Sequence, residues 1–474
     1  MNQTIHAYQD DLLGTLDATA LAKHLRNKDF TAEELAVCAI KRAQAVNPQL
    51  NAIAYADFER VSEWATGIGT GVWAGIPTFI KDLVHVDGMP TLHGSRALGN
   101  KLQKKNEKIT QQLLALGLLP LGKSTTSEFG LMPTSETLLH GATHNPMGIG
   151  YSTGGSSGGA GALVASGVVP VGHAADGGGS IRIPAACCGL VGFKSSRGRD
   201  VDSPTKALPI DIVVQGVLTR SVRDAIAYQL GVEQYHTVAH LPPIGAIEEP
   251  LKRRLKIGYF VQTPTQVNVH TDVKKGMEKA AQFCAQLGHH VELIDCPFTQ
   301  ETKIDFLGYW SMVSYLLLRF GKFSYGWSFK SKQAEPFTQQ MAKVFPKILF
   351  DIRTVLRRLK HFSTHYNTLH QDYDILLSPV VAHPTPPIGY FDPNLNFFSS
   401  IEKLSQYVNF TIFQNVSGAP AIALPMAESS EGMPIGVQFS GKVGADRLVL
   451  ELALELEQKG GFIDWQKRLI TPQV

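Results

Sequence analysis

Between Tyr151 and Pro184 the chain reads YSTGGSSGGAGALVASGVVPVGHAADGGGSIRIP, which sets two serines in separate glycine nests, GGSSGG and DGGGS. Ser180 follows Gly177, Gly178 and Gly179. The backbone there carries no side chains to obstruct a carbonyl group, and its N–H groups can turn toward one developing negative charge. This loop reads as a nucleophile beside an oxyanion hole.

A serine hydroxyl is a poor nucleophile until a base takes its proton, and Ser156 with Lys81 can form that relay. Lys81 ends an apolar run, Gly75-Ile-Pro-Thr-Phe-Ile80. Buried there unpaired, its ammonium is disfavoured and its pKa falls, which leaves an amine able to accept a proton. Asp82 would oppose this if its carboxylate reached the amine, but neighbours on a strand point to opposite faces. No histidine is required.

These residues resemble the amidase signature family, serine hydrolases that use a Ser-cisSer-Lys triad. The spacing matches too: 75 residues separate Lys81 from Ser156 (156 − 81), and 24 separate Ser156 from Ser180 (180 − 156). The resemblance implies that Ser180 is acylated, that Ser156 bridges from a cis peptide unit, and that Lys81 is the base. Gly177, Gly178, Gly179 and Ser180 would supply the oxyanion donors, and Ser157 would support the lysine. Asp176 and Arg182 flank the loop; such pairs are commonly surface ions of little worth, and the other role open to them here is to pin the loop so that its amides converge. Further segments are similar to family motifs, among them GKSTTSEFG, GLVGFKSSRGR, GVLTRSVRDA, NVSGAPAIALP and GMPIGVQFSG. Two departures stand out: Ser195-Ser196 in place of Pro-Thr, and a third glycine, Gly177, before Ser180.

The resemblance implies an α/β fold: one mixed, twisted sheet of ten or eleven strands with helices on both faces. Residues 1–70 read as a helical wrap, with a capping box at Thr31-Ala-Glu-Glu34. Residues 71–239 alternate apolar runs with helical patterns and hold the triad, as an α/β layer requires. The segment 240–250 reads as a connector; beyond it comes a βαβ-like unit and then helices, so that 240–372 forms a peripheral section over the active site. Residues 373–474 return to strands and close on a helix from about Arg447 to Gln458. The aromatic stretch 306–329 has three fates open to it: core, membrane contact or pocket wall. Its place over the site makes a mixture of core and pocket wall the expectation.

With 474 residues, 44% of them hydrophobic, the chain can bury a large core. A net charge of +3 without any long basic block argues against a nucleic-acid partner and for a small or uncharged substrate. Five irregularly spaced cysteines suit reduced thiols in the cytoplasm, and the start MNQTIHAYQDDLLG lacks a secretory pattern. No apolar run is long enough to span a membrane. No metal or other cofactor is expected, and a homodimer is left open.

Two local patterns point elsewhere. Gly117–Ser124 satisfies the phosphate-loop spacing GxxxxGK[ST], but its interior, Leu-Leu-Pro-Leu, is strand-like and the residues before it are helical. Gly155–Gly159 fits the GxSxG elbow with Ser157 as nucleophile, but no apolar strand leads into it. The expected activity is hydrolysis of a small or apolar carboxylic amide through an acyl-enzyme. The alternative is the ammonia-generating A subunit of a tRNA-dependent amidotransferase. Against it stand the triple glycine and the segment EFGLMPTSETLLHGATHNP, which looks like stand-alone bacterial amidases of the 6-aminohexanoate cyclic-dimer hydrolase type.

Overall fold

The frame is set locally before it is set globally. At the start of the helix Ala32–Leu50, the Thr31 hydroxyl accepts from the Glu34 amide at 3.2 Å, and the Glu34 carboxylate accepts from the Thr31 amide at 2.8 Å. The capping box thereby satisfies donors that every helix start leaves unpaired. Leu35, Ala36, Ala39, Ala43 and Val46 then fall on one buried face. The computed structural model describes residues 3–201 and 204–471. Residues 1, 2 and 472–474 of the two terminal sections, and 202 and 203, lie outside it.

The central sheet has eight strands in the order His290–Leu293, Lys256–Tyr259, Ile375–Pro379, Pro434–Ser440, Ala421–Glu428, Val191–Lys194, Val214–Thr219, Val171–Asp176. The first two pairings are parallel and the remaining five antiparallel, so the sheet is mixed. Residues along its strands alternate between two cores: Ile375, Leu377, Ile422 and Leu424 join one, Leu376 and Ala423 the other. One core is closed by the helices Val222–Tyr235, Thr271–Gln286 and Asp446–Gln458, the other by Arg182–Cys188 and its neighbours. Helices therefore cover both faces.

The expectation of one sheet with ten or eleven strands is corrected. Three strands, Ile53–Ala56, Leu118–Ser124 and Ile76–Lys81, form a separate sheet. Its edge strand Ile76–Lys81 lies beside the edge strand Val171–Asp176, but side chains bridge the two instead of a main-chain ladder. Thr78 Oγ1 donates to the Val171 carbonyl at 2.9 Å, and His173 Nδ1 accepts from the Lys81 amide at 3.2 Å. The reading of residues 1–70 as a helical wrap missed the strand Ile53–Ala56, and a further short helix, Trp465–Ile470, follows the one expected to be last. The βαβ unit, Lys256–Tyr259 through His290–Leu293, extends the central sheet, while the helices Gln300–Tyr325, Pro336–Val344 and Ile352–Leu369 pack elsewhere. No helix among the described residues is long and apolar enough to cross a membrane.

Candidate active site

Every residue of the strand Ile76–Lys81 is buried, so the backbone delivers the Lys81 side chain into the interior. Its Nζ lies 2.7 Å from Ser156 Oγ, 2.7 Å from Ser157 Oγ and 3.2 Å from the Ala175 carbonyl. Burial pulls its pKa down to about 7, with the Asp176 carboxylate opposing part of the fall. Asp82 faces away as strand geometry requires: its carboxylate lies 3.5 Å from Lys123 Nζ and accepts from the Leu92 amide. Lys81 is thus held by hydroxyls and a carbonyl, and among the described residues it has no ion pair.

Ser156 follows a cis peptide bond from Gly155. Only glycine fits at 155, because a Cβ there would lie 2.4 Å from the Thr134 carbonyl oxygen. Ser135 ties this turn down, its hydroxyl accepting from the Gly158 amide at 3.0 Å and donating to the Ser156 carbonyl at 3.3 Å. Ser157 is fully buried and exchanges hydrogen bonds with both the amide and the carbonyl of Ala175.

The loop carrying Ser180 wraps around the Asp176 carboxylate, which accepts from the amides of Gly179 at 2.7 Å and Ile181 at 3.2 Å. Arg182 grips the same carboxylate with two nitrogens at 2.9 and 3.0 Å, and both side chains are wholly buried. The remaining guanidinium donors reach Gln414, Asn415 and Gln438, while Asn415 donates to the Asp176 carbonyl. A buried pair is stable only when its lone pairs and protons are all used, and these are. The ion pair, with its hydrogen bonds from Asn415, holds the Asp176 carboxyl below the usual carboxylate range against the opposing pull of burial. The fate of the amides differs from the sequence reading: that of Gly179 is committed to Asp176. No partner is found among the described residues for the amides of Gly177, Gly178 and Ser180.

Ser180 and Gly178 open onto a cavity of about 50 Å³. Its walls are apolar and include Leu131, Met132, Phe306, Leu307 and Trp310. The aromatic stretch therefore divides: Phe306 and Trp310 face the cavity, Tyr309 and Met312 are core, and Phe323 and Trp327 are 85% and 86% exposed. That exposed end was not expected.

The family model described as amidase matches residues 34–450. The chain belongs to the amidase family. It is 41% identical over 459 residues to the putative amidase AmiC of Mycobacterium tuberculosis, a match covering 96% of each chain. It is 31% identical over 512 residues to the 6-aminohexanoate-cyclic-dimer hydrolase of Paenarthrobacter ureafaciens, covering 96% of this chain and 97% of that one. A solved 6-aminohexanoate cyclic dimer hydrolase complexed with substrate superposes with a TM-score of 0.85 at 28% identity, over 97% of this chain and 100% of the other. The amidase is accordingly an amide C–N hydrolase, and the amidotransferase-subunit alternative is not favoured.

Both decoy patterns dissolve in this amidase. Residues Leu118–Ser124 are a fully buried strand, so no phosphate loop exists there. Ser157, the nucleophile of the elbow reading, spends its hydroxyl on Lys81 and Ala175. The histidine beside Lys81, His173, is held neutral by burial, with a pKa near 3, and uses its nitrogens on the Lys81 amide and Gln215. Sequence reasoning missed Asn415, Gln414, Gln438, Thr411 and Ser135. Asn415 opens NVSGAP and Gln438 lies in GVQFSG, so the motifs flagged them without revealing what they brace.

Proposed function

We propose that this amidase cleaves small or apolar carboxylic amides through an acyl-enzyme on Ser180. Neutral Lys81 accepts a proton by way of Ser156 while Ser180 Oγ attacks the amide carbon. The unpartnered amides of Gly177, Gly178 and Ser180 then stabilise the oxyanion. Collapse of the tetrahedral adduct breaks the C–N bond, and the proton held on Lys81 returns through Ser156 to the leaving amine. Water follows the same path in reverse order, giving acid and free Ser180. Asp176 and Arg182 position the loop, and Ser157 keeps the amine of Lys81 aimed at Ser156.

The observation that carries this reading is Lys81 Nζ, buried with no ion pair among the described residues and 2.7 Å from the hydroxyls of Ser156 and Ser157. A lysine placed so has a proton-accepting role open to it near neutral pH, where solvated lysines stay charged. The apolar cavity beside Ser180 supports an apolar acyl group, and the similarity to a hydrolase of a cyclic amide brings cyclic amides into the set to be tried. The test is a screen of aliphatic, aromatic and cyclic amides, with glutamine included, on the purified protein alone. Release of acid and amine by the wild type and its loss in Ser180→Ala are expected. Turnover of glutamine only would favour an ammonia-supplying role instead.

A further inference from the structure

Apart from its apolar wall and Ser180, the cavity contains one cationic side chain, Lys303. Lys303 lies in the first turn of the helix Gln300–Tyr325, and Phe306, Leu307 and Trp310 follow it one and two turns further along. That spacing puts all four on one helix face, and all four line the cavity. Lys303 is only 6% exposed. Its Nζ donates to the Ser405 carbonyl at 2.9 Å and to Asn409 Oδ1 at 2.7 Å. An ammonium has three N–H groups, so one has no partner among the described residues.

What Lys303 lacks is a counter-charge. Asp305 and Glu301, the acids on its own helix turn, are both taken by Arg358. Among the described residues no carboxylate forms an ion pair with Lys303, and burial alone governs its ionisation, lowering its pKa to about 8. It is therefore still a cation at neutral pH. Lys123, even more deeply buried, has such a partner, with Asp82 at 3.5 Å. A buried ammonium without an anion is costly, and proteins retain one where a ligand supplies the missing charge.

We propose that Lys303 sets substrate specificity: the acyl half of the preferred amide carries a carboxylate that enters the cavity and pairs with Lys303 Nζ while its carbonyl meets Ser180. The acyl half is assigned because it stays bonded to Ser180 after the amine departs, and so suits a small cavity open at the nucleophile. This rests on the acyl-enzyme reading above. The substrate class is then the monoamides of dicarboxylic acids, in which an apolar chain between the two ends lies along Phe306, Leu307 and Trp310.

The experiment compares primary amides, so that the leaving group is ammonia throughout. Monoamides of unbranched dicarboxylic acids from succinic to pimelic are set against uncharged alkanamides of matched length. The wild type is expected to favour the charged amide of best length by roughly 10- to 100-fold in kcat/KM, the range of a hydrogen-bonded charge contact. In Lys303→Met and Lys303→Gln the ratio should collapse toward one. Both substrates are read on the same preparation, so partial unfolding cancels from the ratio. A wild type that turns over uncharged amides without preferring any charged one overturns the proposal alone. A ratio unchanged in both variants does the same, since Lys303 would then merely tie its helix to Ser405 and Asn409. A wild type that hydrolyses neither class while releasing acid and amine from aromatic or cyclic amides also overturns the proposal alone, whereas one that hydrolyses no amide of any kind overturns the acyl-enzyme reading as well.

Discussion

Replacing Lys81 by methionine should alter the amidase in two ways that share one cause. Burial takes the Lys81 amine from 10.5 to about 7. At pH 7 about half of it is then neutral, against roughly 3 in 10,000 for a solvated lysine, which makes about a thousandfold more base available. In the wild type, kcat/KM should climb about tenfold per pH unit on the acid side of neutrality and level off above about pH 8. Lys81→Met should lose that limb and about 10²- to 10⁴-fold in rate. Lys81→Arg should not restore it, because a guanidinium stays protonated.

The same burial costs stability. The drop from 10.5 to about 7, at about 1.4 kcal/mol per pH unit, amounts to about 5 kcal/mol. Between those values the unfolded chain binds the proton and the native state does not, so native stability rises with pH across the window. Below pH 7 both states are protonated and the whole penalty remains. Methionine removes the penalty but also three hydrogen bonds, worth about 1 kcal/mol each. Lys81→Met should therefore be about 2 kcal/mol more stable than wild type at pH 6. That advantage should shrink by about 1.4 kcal/mol per pH unit above pH 7 and reverse before pH 10. Urea titrations of both proteins at pH 6, 8 and 9.5 measure this. A stability difference independent of pH, together with a wild-type rate profile lacking the limb, would refute the reasoning.

Asp176→Asn leaves the buried Arg182 guanidinium without its counter-charge and should cost about 3–5 kcal/mol by denaturant midpoint, with most of the activity lost as the Ser180 loop loosens. Thr411→Val removes the hydroxyl that donates to the Gly178 carbonyl at 2.6 Å. It should cost about 1 kcal/mol and, on the proposed oxyanion role of the loop amides, lower kcat more than it raises KM as they lose their alignment.

The proposed site residues stood out because their types and spacing follow backbone needs: glycines that leave amides free, and a lysine at the end of a buried strand. Thr31 and Glu34 were legible for the same reason, since a capping box is a contact within one turn. The separation of the three-stranded sheet from the central one was not, because it hangs on Thr78 and His173, which bridge the two edge strands across more than ninety residues of sequence. Ile53–Ala56 is too short for its period to show, and it exists as a strand only because Leu118–Ser124 pairs with it. Lys303 belongs to no motif. Its burial depends on Ser405 and Asn409, about a hundred residues away, and on Arg358 claiming the neighbouring acids.

The acyl-enzyme itself is the most direct test of the central claim. The amidase, mixed with an activated ester of slow deacylation and quenched in acid within the burst, should gain the mass of one acyl group. Peptide mapping should then place that group on Ser180. Ser180→Ala should gain none, and Lys81→Met should acylate far more slowly. An acyl group found on Ser156 or Ser157, or steady hydrolysis of amides by Ser180→Ala, would contradict the account.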